Sequence, residues 1–243
     1  MNGFKAYRLG RLDYGTALSL QKRFVELRHR GEIEDTIILV EHPHTFTMGR
    51  GGDLQNLHLS AEELLELGIH FEVISRGGDI TYHGPGQVVG YPIVDLRGLN
   101  SDVHRFIRLI EEVLIVALKD FGIQSHGRNG LTGVWAGEEK VASVGIGVKK
   151  WVTYHGFALN VNTDLSYFNL MNPCGLHNVK MTSIKRLLGK DEDLNISQVE
   201  SAVISAFGSA FGLKESSDIN DSGEIYQLTG YSGFGNPNGA KTL

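Results

Sequence analysis

Apolar residues recur along this chain with two alternating periods, one helical and one strand-like. Val103, Phe106, Ile107, Ile110, Val113, Leu114, Ala117, Leu118 and Phe121 keep to one helical face, and Gly122 follows as a stop, which predicts a helix over 102–121. A first helix is predicted over 14–28. Ser60-Ala61-Glu62-Glu63 reads as a capping box opening a short helix that ends before Gly68, and Ser197-Gln198-Val199-Glu200 as a second box opening a helix that reaches Phe211. Continuous apolar runs predict buried strands over 36–40, 71–75 and 87–95. Three further runs, 133–136, 140–148 and 152–161, are separated only by Glu-Glu and Lys-Lys turns, the pattern of an antiparallel meander. The expected fold class is therefore α/β or α+β, with a central mixed sheet flanked by helices.

Beyond Gly212 the pattern lapses into Ser, Asp, Asn and Gly. This divides the chain into one folded domain over 1–212 and a polar extension over 213–243, expected to be mobile or draped on the surface and to carry no chemistry. No apolar run approaches the roughly 20 residues that span a bilayer, so no membrane segment is expected. The single cysteine excludes an internal disulfide, and the first eight residues lack the apolar core of a signal peptide, which together imply a reducing, cytoplasmic setting. A formal charge of −5 argues against a broad nucleic-acid surface. A monomer is the default expectation.

Candidate chemistry lies in three places. Cys174 falls in Asn172-Pro173-Cys174-Gly175, a turn-forming setting that would hold a thiol near the surface, although a lone cysteine is by type a small buried hydrophobe. Lys140 opens an apolar strand after a Glu-Glu turn; it could lower the pKa of a neighbouring thiol, or be an ordinary exposed strand-start lysine. The block from Arg76 to Gln87 holds four glycines, a proline, an arginine, a threonine and a histidine, a density that favours a ligand cradle over a plain loop. No Gly-Lys-Ser/Thr follows it, so it is not a P-loop, and Gly145-x-Gly147 lacks the rest of a dinucleotide fingerprint. His42 and His44 have no third or fourth ligand at zinc-site spacing, so no metal is expected. Lys149, Lys150, Lys180, Lys185, Arg186 and Lys190 gather positive charge near these segments, as a docking surface or as a solvated face.

These residues resemble the octanoyltransferases of lipoate synthesis, over roughly residues 7–211. The most specific stretch is Arg76-Gly77-Gly78-x-x-Thr81-Tyr82-His83-Gly84-Pro85-Gly86-Gln87-x-x-x-Tyr91. It is supported by Glu41-His42-Pro43, Thr47-x-Gly49-Arg50, Lys140-Val141-Ala142-Ser143-Val144-Gly145, His155-Gly156-Phe157-Ala158-Leu159-Asn160, and Pro173-Cys174-Gly175 with Thr182-Ser183. The long polar tail and His44 depart from the family pattern.

The resemblance implies the fold of biotin and lipoate protein ligases and a catalytic Cys174/Lys140 dyad. It implies an acyl and thioester site built from Arg76, Gly77, Gly78, Asp79, Ile80, Thr81, Tyr82 and His83, with Ser143, Val144 and Gly145, and with Gly156, Phe157 and Ala158. The donor would be octanoyl acyl carrier protein, through its phosphopantetheine arm, with no further cofactor. The acceptors would be lipoyl domains of 2-oxoacid dehydrogenases and the glycine-cleavage H protein. Backbone N–H groups near Gly77 and Gly78, with His83, would stabilise the oxyanion. Three other readings share part of the pattern: an ATP-dependent lipoate or biotin ligase, which needs no cysteine; an amidotransferase that moves octanoyl between lipoyl domains through a cysteine; and a non-catalytic module that binds carrier proteins.

Overall fold

Ile37, Ile38, Leu39 and Val40 are all buried, and they divide alternately between two cores: Ile37 and Leu39 face one, Ile38 and Val40 the other. A strand buried on both faces needs covering on both sides, and here helices supply it. The computed structural model describes residues 3–172 and 179–219, with 225 and 228. In chain order the elements begin β1 (Gly3–Arg11), α1 (Tyr14–His29), β2 (Asp35–Glu41), β3 (Thr45–Met48), α2 (Ala61–Glu66), β4 (His70–Val73), β5 (Ile80–His83) and β6 (Gln87–Ile93). They continue with α3 (Val103–Lys119), β7 (His126–Arg128), β8 (Leu131–Ala136), β9 (Glu139–Lys149), β10 (Val152–Asn160), α4 (Ile184–Leu187), α5 (Ile196–Phe211) and β11 (Lys214–Ile219).

Eight strands form one mixed sheet in the order β11-β1-β2-β6-β10-β9-β8-β7. β1 runs parallel to β2 and β11, and the remaining neighbours are antiparallel. The expected meander is β8-β9-β10. One face is covered by α3 and α5, whose Phe106, Ile110, Leu114, Val203 and Phe207 pack on Ile37, Leu39, Val88 and Leu159. The other is covered by α1, whose Leu20 and Phe24 meet Tyr7, Ile38, Val40 and Ile93. Each such side chain removed from water contributes about 1.5–3 kcal/mol, so a charge introduced at Ile37 would break the central strand. A second sheet, β4-β3-β5, holds a smaller core around Phe46, Tyr82 and Phe168.

Three expectations change. The glycine-rich block, between the strands read at 71–75 and 87–95, holds a strand of its own: Ile80–His83 is β5 of the small sheet, and the chain crosses at Gly84–Gly86 into β6 of the large one. The Ser60 capping box forms as expected, with Glu63 accepting the Ser60 N–H at 2.7 Å, but the one at Ser197 does not. Asn195 caps α5 instead, accepting from Ser197 N at 2.9 Å, and buried Glu200 is drawn to Arg8, 3.8 Å away. The folded domain does not stop at Gly212 either, because β11 pairs along β1, Gly3 with Lys214 through Tyr7 with Ile219. Ile225 is buried in the core under α1. The polar composition of 213–219 hid a strand because an edge strand has less need of an alternating apolar face. Among the described residues no helix is long and apolar enough to cross a membrane.

Candidate functional site

A cavity opens where the small sheet meets the large one. The segment 76–83 supplies one wall through Arg76, Gly77, Gly78, Asp79, Ile80, Thr81 and His83. β9 supplies Ser143, Val144 and Gly145, β10 supplies His155 to Ala158, and Val89, Tyr91 and Tyr14 complete the lining. The walls meet closely because glycines let them: a Cβ on Gly145 would stand 3.1 Å from both Arg76 Cδ and Gly77 O, and Gly77 N–H donates to Ile146 O at 3.0 Å. All the positions expected from the glycine block and from β9 and β10 therefore converge on one cavity, with one exception. Tyr82 points away from it. Its ring stacks on Tyr167 at 4.7 Å and packs beside Phe46 and Phe168, and its hydroxyl pairs with His44 Nδ1 at 2.7 Å. Alternation along β5 turns Tyr82 into the small core while Thr81 and His83 line the cavity.

Asp79 lines the cavity but is committed to the loop beside it, accepting from Asp53 N at 3.1 Å and from Asn56 Nδ2 at 2.5 Å. Arg76, 8% exposed, donates from Nη2 to Thr47 O at 2.7 Å and to Thr47 Oγ1 at 3.0 Å. Charge-assisted bonds of this kind hold a buried guanidinium rigid.

Three buried histidines gather at the cavity: His83 and His155 line it, and His42 packs behind them against His83 and Tyr91. His42 Nδ1 donates to Leu12 O and its Nε2 accepts from the Tyr91 hydroxyl, each at 2.6 Å, so both ring nitrogens are spent within the protein. Burial lowers its pKa to about 4. Burial, reinforced by the Arg76 charge, lowers that of His155 to about 3. His155 adopts φ +55° inside β10, a conformation rarely held by a residue other than glycine. Its Nδ1 faces the Tyr14 hydroxyl at 3.4 Å. His83 is driven well below its ordinary value, first by burial and then by His42. Tyr14, Val89, Tyr91 and His155 escaped the sequence reading as lining residues. Tyr91 and His155 stood inside quoted motifs, whereas nothing local marked Tyr14 or Val89.

Lys140 is not an exposed strand-start lysine. It is 2% exposed, with Nζ 5.0 Å from the centroid of the buried Trp135 ring. Its backbone is paired on the far side from β8: Lys140 N–H donates to Lys180 O at 2.8 Å, and Lys140 O accepts from Thr182 N–H at 2.9 Å. Ser143, at the cavity wall, is three residues further along the strand, about 10 Å at strand rise. Cys174 lies outside the described residues. Upstream of it, Asn172 N–H donates to Asn56 O at 2.8 Å.

The expected basic cluster is largely neutralised in place. Lys149 and Lys150 pair with Glu26 at 2.8 and 2.9 Å, Lys180 with Glu139, and Lys185 with Asp193 at 2.8 Å.

This sheet architecture is the fold shared with lipoate and biotin protein ligases. The family model for the lipoyl protein ligase A/B catalytic domain matches residues 13–208. A lipoate-protein ligase A bound with ATP superposes with a TM-score of 0.73 at 17% identity, covering 94% of this chain and 93% of that one. The biotin protein ligase of Aquifex aeolicus, in complex with biotin and ATP, superposes at 0.53 with 14% identity, covering 86% and 70%. In sequence, the octanoyltransferase of Caldicellulosiruptor saccharolyticus is 47% identical over 205 residues, 84% of this chain and 86% of that one. The chain belongs to the lipoyl protein ligase A/B catalytic domain family, on its octanoyltransferase branch, and is an acyltransferase.

Proposed function

We propose that this chain carries an octanoyl group from the phosphopantetheine thioester of acyl carrier protein to a lysine of a lipoyl domain, through an acyl-Cys174 intermediate. The observation that carries this reading is the placement of Lys140: a buried lysine, on the strand that walls the cavity, backbone-paired to Lys180 and Thr182. Those residues follow Cys174 by six and eight positions, so the pairing tethers the thiol's segment to the lysine.

Chemically, the Cys174 sulfur attacks the thioester carbonyl, its proton passes to Lys140, and collapse expels the phosphopantetheine thiolate, which takes that proton. The acceptor amine then attacks the acyl-Cys174 carbonyl. Lys140 accepts the proton shed by that amine, the C–S bond breaks, and the proton returns to the Cys174 thiolate. Thioester to amide is downhill, so the sequence of steps needs no nucleotide and no metal. The octanoyl chain lies along Val144, Phe157 and Ala158, the apolar wall of the cavity.

Two oxyanion donors expected from the sequence do not fit this scheme. Gly77 N–H is already bonded to Ile146 O, and buried, neutral His83 has one ring proton, which faces Gln87.

The test is intact mass spectrometry after brief mixing with octanoyl acyl carrier protein. One octanoyl increment, labile to hydroxylamine, absent in Cys174→Ala and discharged by a lipoyl domain, is expected. Lys140→Ala should slow both its formation and its discharge. Product formed only from free octanoate and ATP would replace the proposal with a ligase.

A further inference from the structure

His83 and Lys140 stand on different sheets, yet the buried Gln87 and Asn160 side chains and the Thr182 backbone connect His83 to the Lys140 carbonyl in an unbroken run. The direction of every bond in it follows from two backbone carbonyls. Tyr82 O and Thr182 O can only accept, so the groups facing them, Gln87 Nε2 at 3.2 Å and Asn160 Nδ2 at 2.9 Å, are donors. Gln87 Nε2 also donates to Asn160 Oδ1 at 2.9 Å. Gln87 Oε1 is therefore the atom 2.9 Å from His83 Nδ1, and Nδ1 carries the ring proton. Neutral His83 then accepts at Nε2, from the Thr47 hydroxyl at 3.3 Å, and Thr47 Oγ1 in turn accepts from Arg76 Nη2.

All the donors point one way, from Arg76 through Thr47, His83, Gln87 and Asn160 to Thr182 O. The neighbouring Thr182 N–H continues the path to Lys140 O. Thr47, Gln87, Asn160 and Thr182 are each no more than 1% exposed, so water does not substitute for a broken link. Gln87, Asn160 and Thr182 belong to three separate stretches of the sequence pattern, and none of them touches the cavity.

We propose that Asn160 is a positioning residue for acyl transfer: its amide ties the Thr182 segment that holds Lys140 to the Gln87 amide that fixes the His83 proton on Nδ1. The role rests on the reading of Lys140 and the cavity as the transfer site. Asn160 touches no reacting atom. It sets how the segment paired with Lys140 lies against the cavity wall, and it keeps the His83 lone pair on Thr47, which leaves Arg76 Nη1 to brace Gly77 O at 3.1 Å.

The test has two arms. Nitrogen-15 spectra of the labelled wild-type protein, with His83 assigned by the signals lost in His83→Gln, report which ring nitrogen is protonated. An Nδ1–H ring, unchanged from pH 6 to 8, is expected. An Nε2–H ring, or one titrating near pH 6.5, overturns the relay whether or not the chain transfers octanoyl groups.

The second arm is Asn160→Asp, a change of one donor at constant size. Protonated, the introduced carboxyl can still donate to Thr182 O; ionised, it cannot. Octanoyl transfer to a lipoyl domain should stay within about threefold of wild type at low pH and fall at least tenfold in kcat as that carboxyl ionises, with KM for the carrier little changed. A folded Asn160→Asp protein with the wild-type pH profile overturns the positioning role. If wild-type protein transfers nothing, the positioning role falls with the reaction, and the His83 spectrum still decides the relay.

Discussion

Gly133 leaves open the space in which the Lys140 side chain lies: a Cβ there would come within 2.5 Å of Lys140 Cε and 2.6 Å of Ala142 O. The backbone is itself shaped for glycine at this point, with φ +132°, and its N–H is held by the buried Glu111 carboxylate at 2.8 Å. β8 shifts register at the next step, between Val134 and Trp135, and this brings the indole against Lys140. A buried amine is costly unless the surrounding structure supports it, and here the missing side chain at Gly133 and the ring of Trp135 are both part of that support.

Gly133→Ala is accordingly expected to act twice. Forcing a methyl into this backbone region costs about 1–3 kcal/mol, and on a chain of this size each kcal/mol lowers Tm by roughly 2–4 °C. Displacement of Lys140 should also reduce octanoyl transfer at least tenfold, measured as single-turnover discharge at a temperature where the variant is still folded. Full activity with only a lowered Tm would show that the lysine tolerates displacement.

Gly90 and Phe157 make a second close approach, on the cavity's apolar wall. A Cβ at Gly90 would stand 2.1 Å from Phe157 Cζ, so Gly90→Ala must move a ring that lines the cavity. Competition between hexanoyl and octanoyl donors should shift at least fivefold toward the shorter chain, corresponding to about 1 kcal/mol of differential binding. An unchanged ratio would mean that the acyl chain does not reach Phe157.

His42, His83 and His155 couple stability to pH. Their folded pKa values lie below the unfolded value of about 6.5, at about 4 for His42 and about 3 for His155, with His83 also lowered. The unfolded chain therefore takes up protons first. Their contribution is complete above pH 6.5 and is lost as pH falls toward the folded values, at about 1.4 kcal/mol per pH unit for each ring. Urea unfolding at steps between pH 7.5 and 5 should show a slope approaching three protons below pH 6.5, reduced by one in His155→Gln. A flat profile would mean that the rings titrate alike in the folded and unfolded chain.

What the sequence disclosed follows from what is local. The periodicity of 102–121 corresponds to α3 (Val103–Lys119), and the glycine block, β9 and β10 lead to the same cavity because each motif carries its own backbone requirement. Three kinds of feature were not legible. Tyr82 reverses its side because a second, small sheet takes over the chain at β5, a partition that no single segment encodes. Lys140 reads as an exposed strand opening until Trp135 and residues 180–182 are folded against it. Glu200 looks like a capping residue, but Arg8, nearly two hundred positions earlier, claims it. Long-range partners decided each of these.

The pairing of β1 with β11 has a consequence for synthesis. Residues 3–7 find their outer neighbours only at 214–219, more than 200 positions later. At translation rates of about 5–20 residues per second, the first strand waits roughly 10 to 40 s before that side can be closed. During that interval β2 can protect one edge of β1, while the other stays available to any passing strand. The emerging chain is thus most exposed to aggregation at its oldest segment, and the late arrival of β11 removes that hazard.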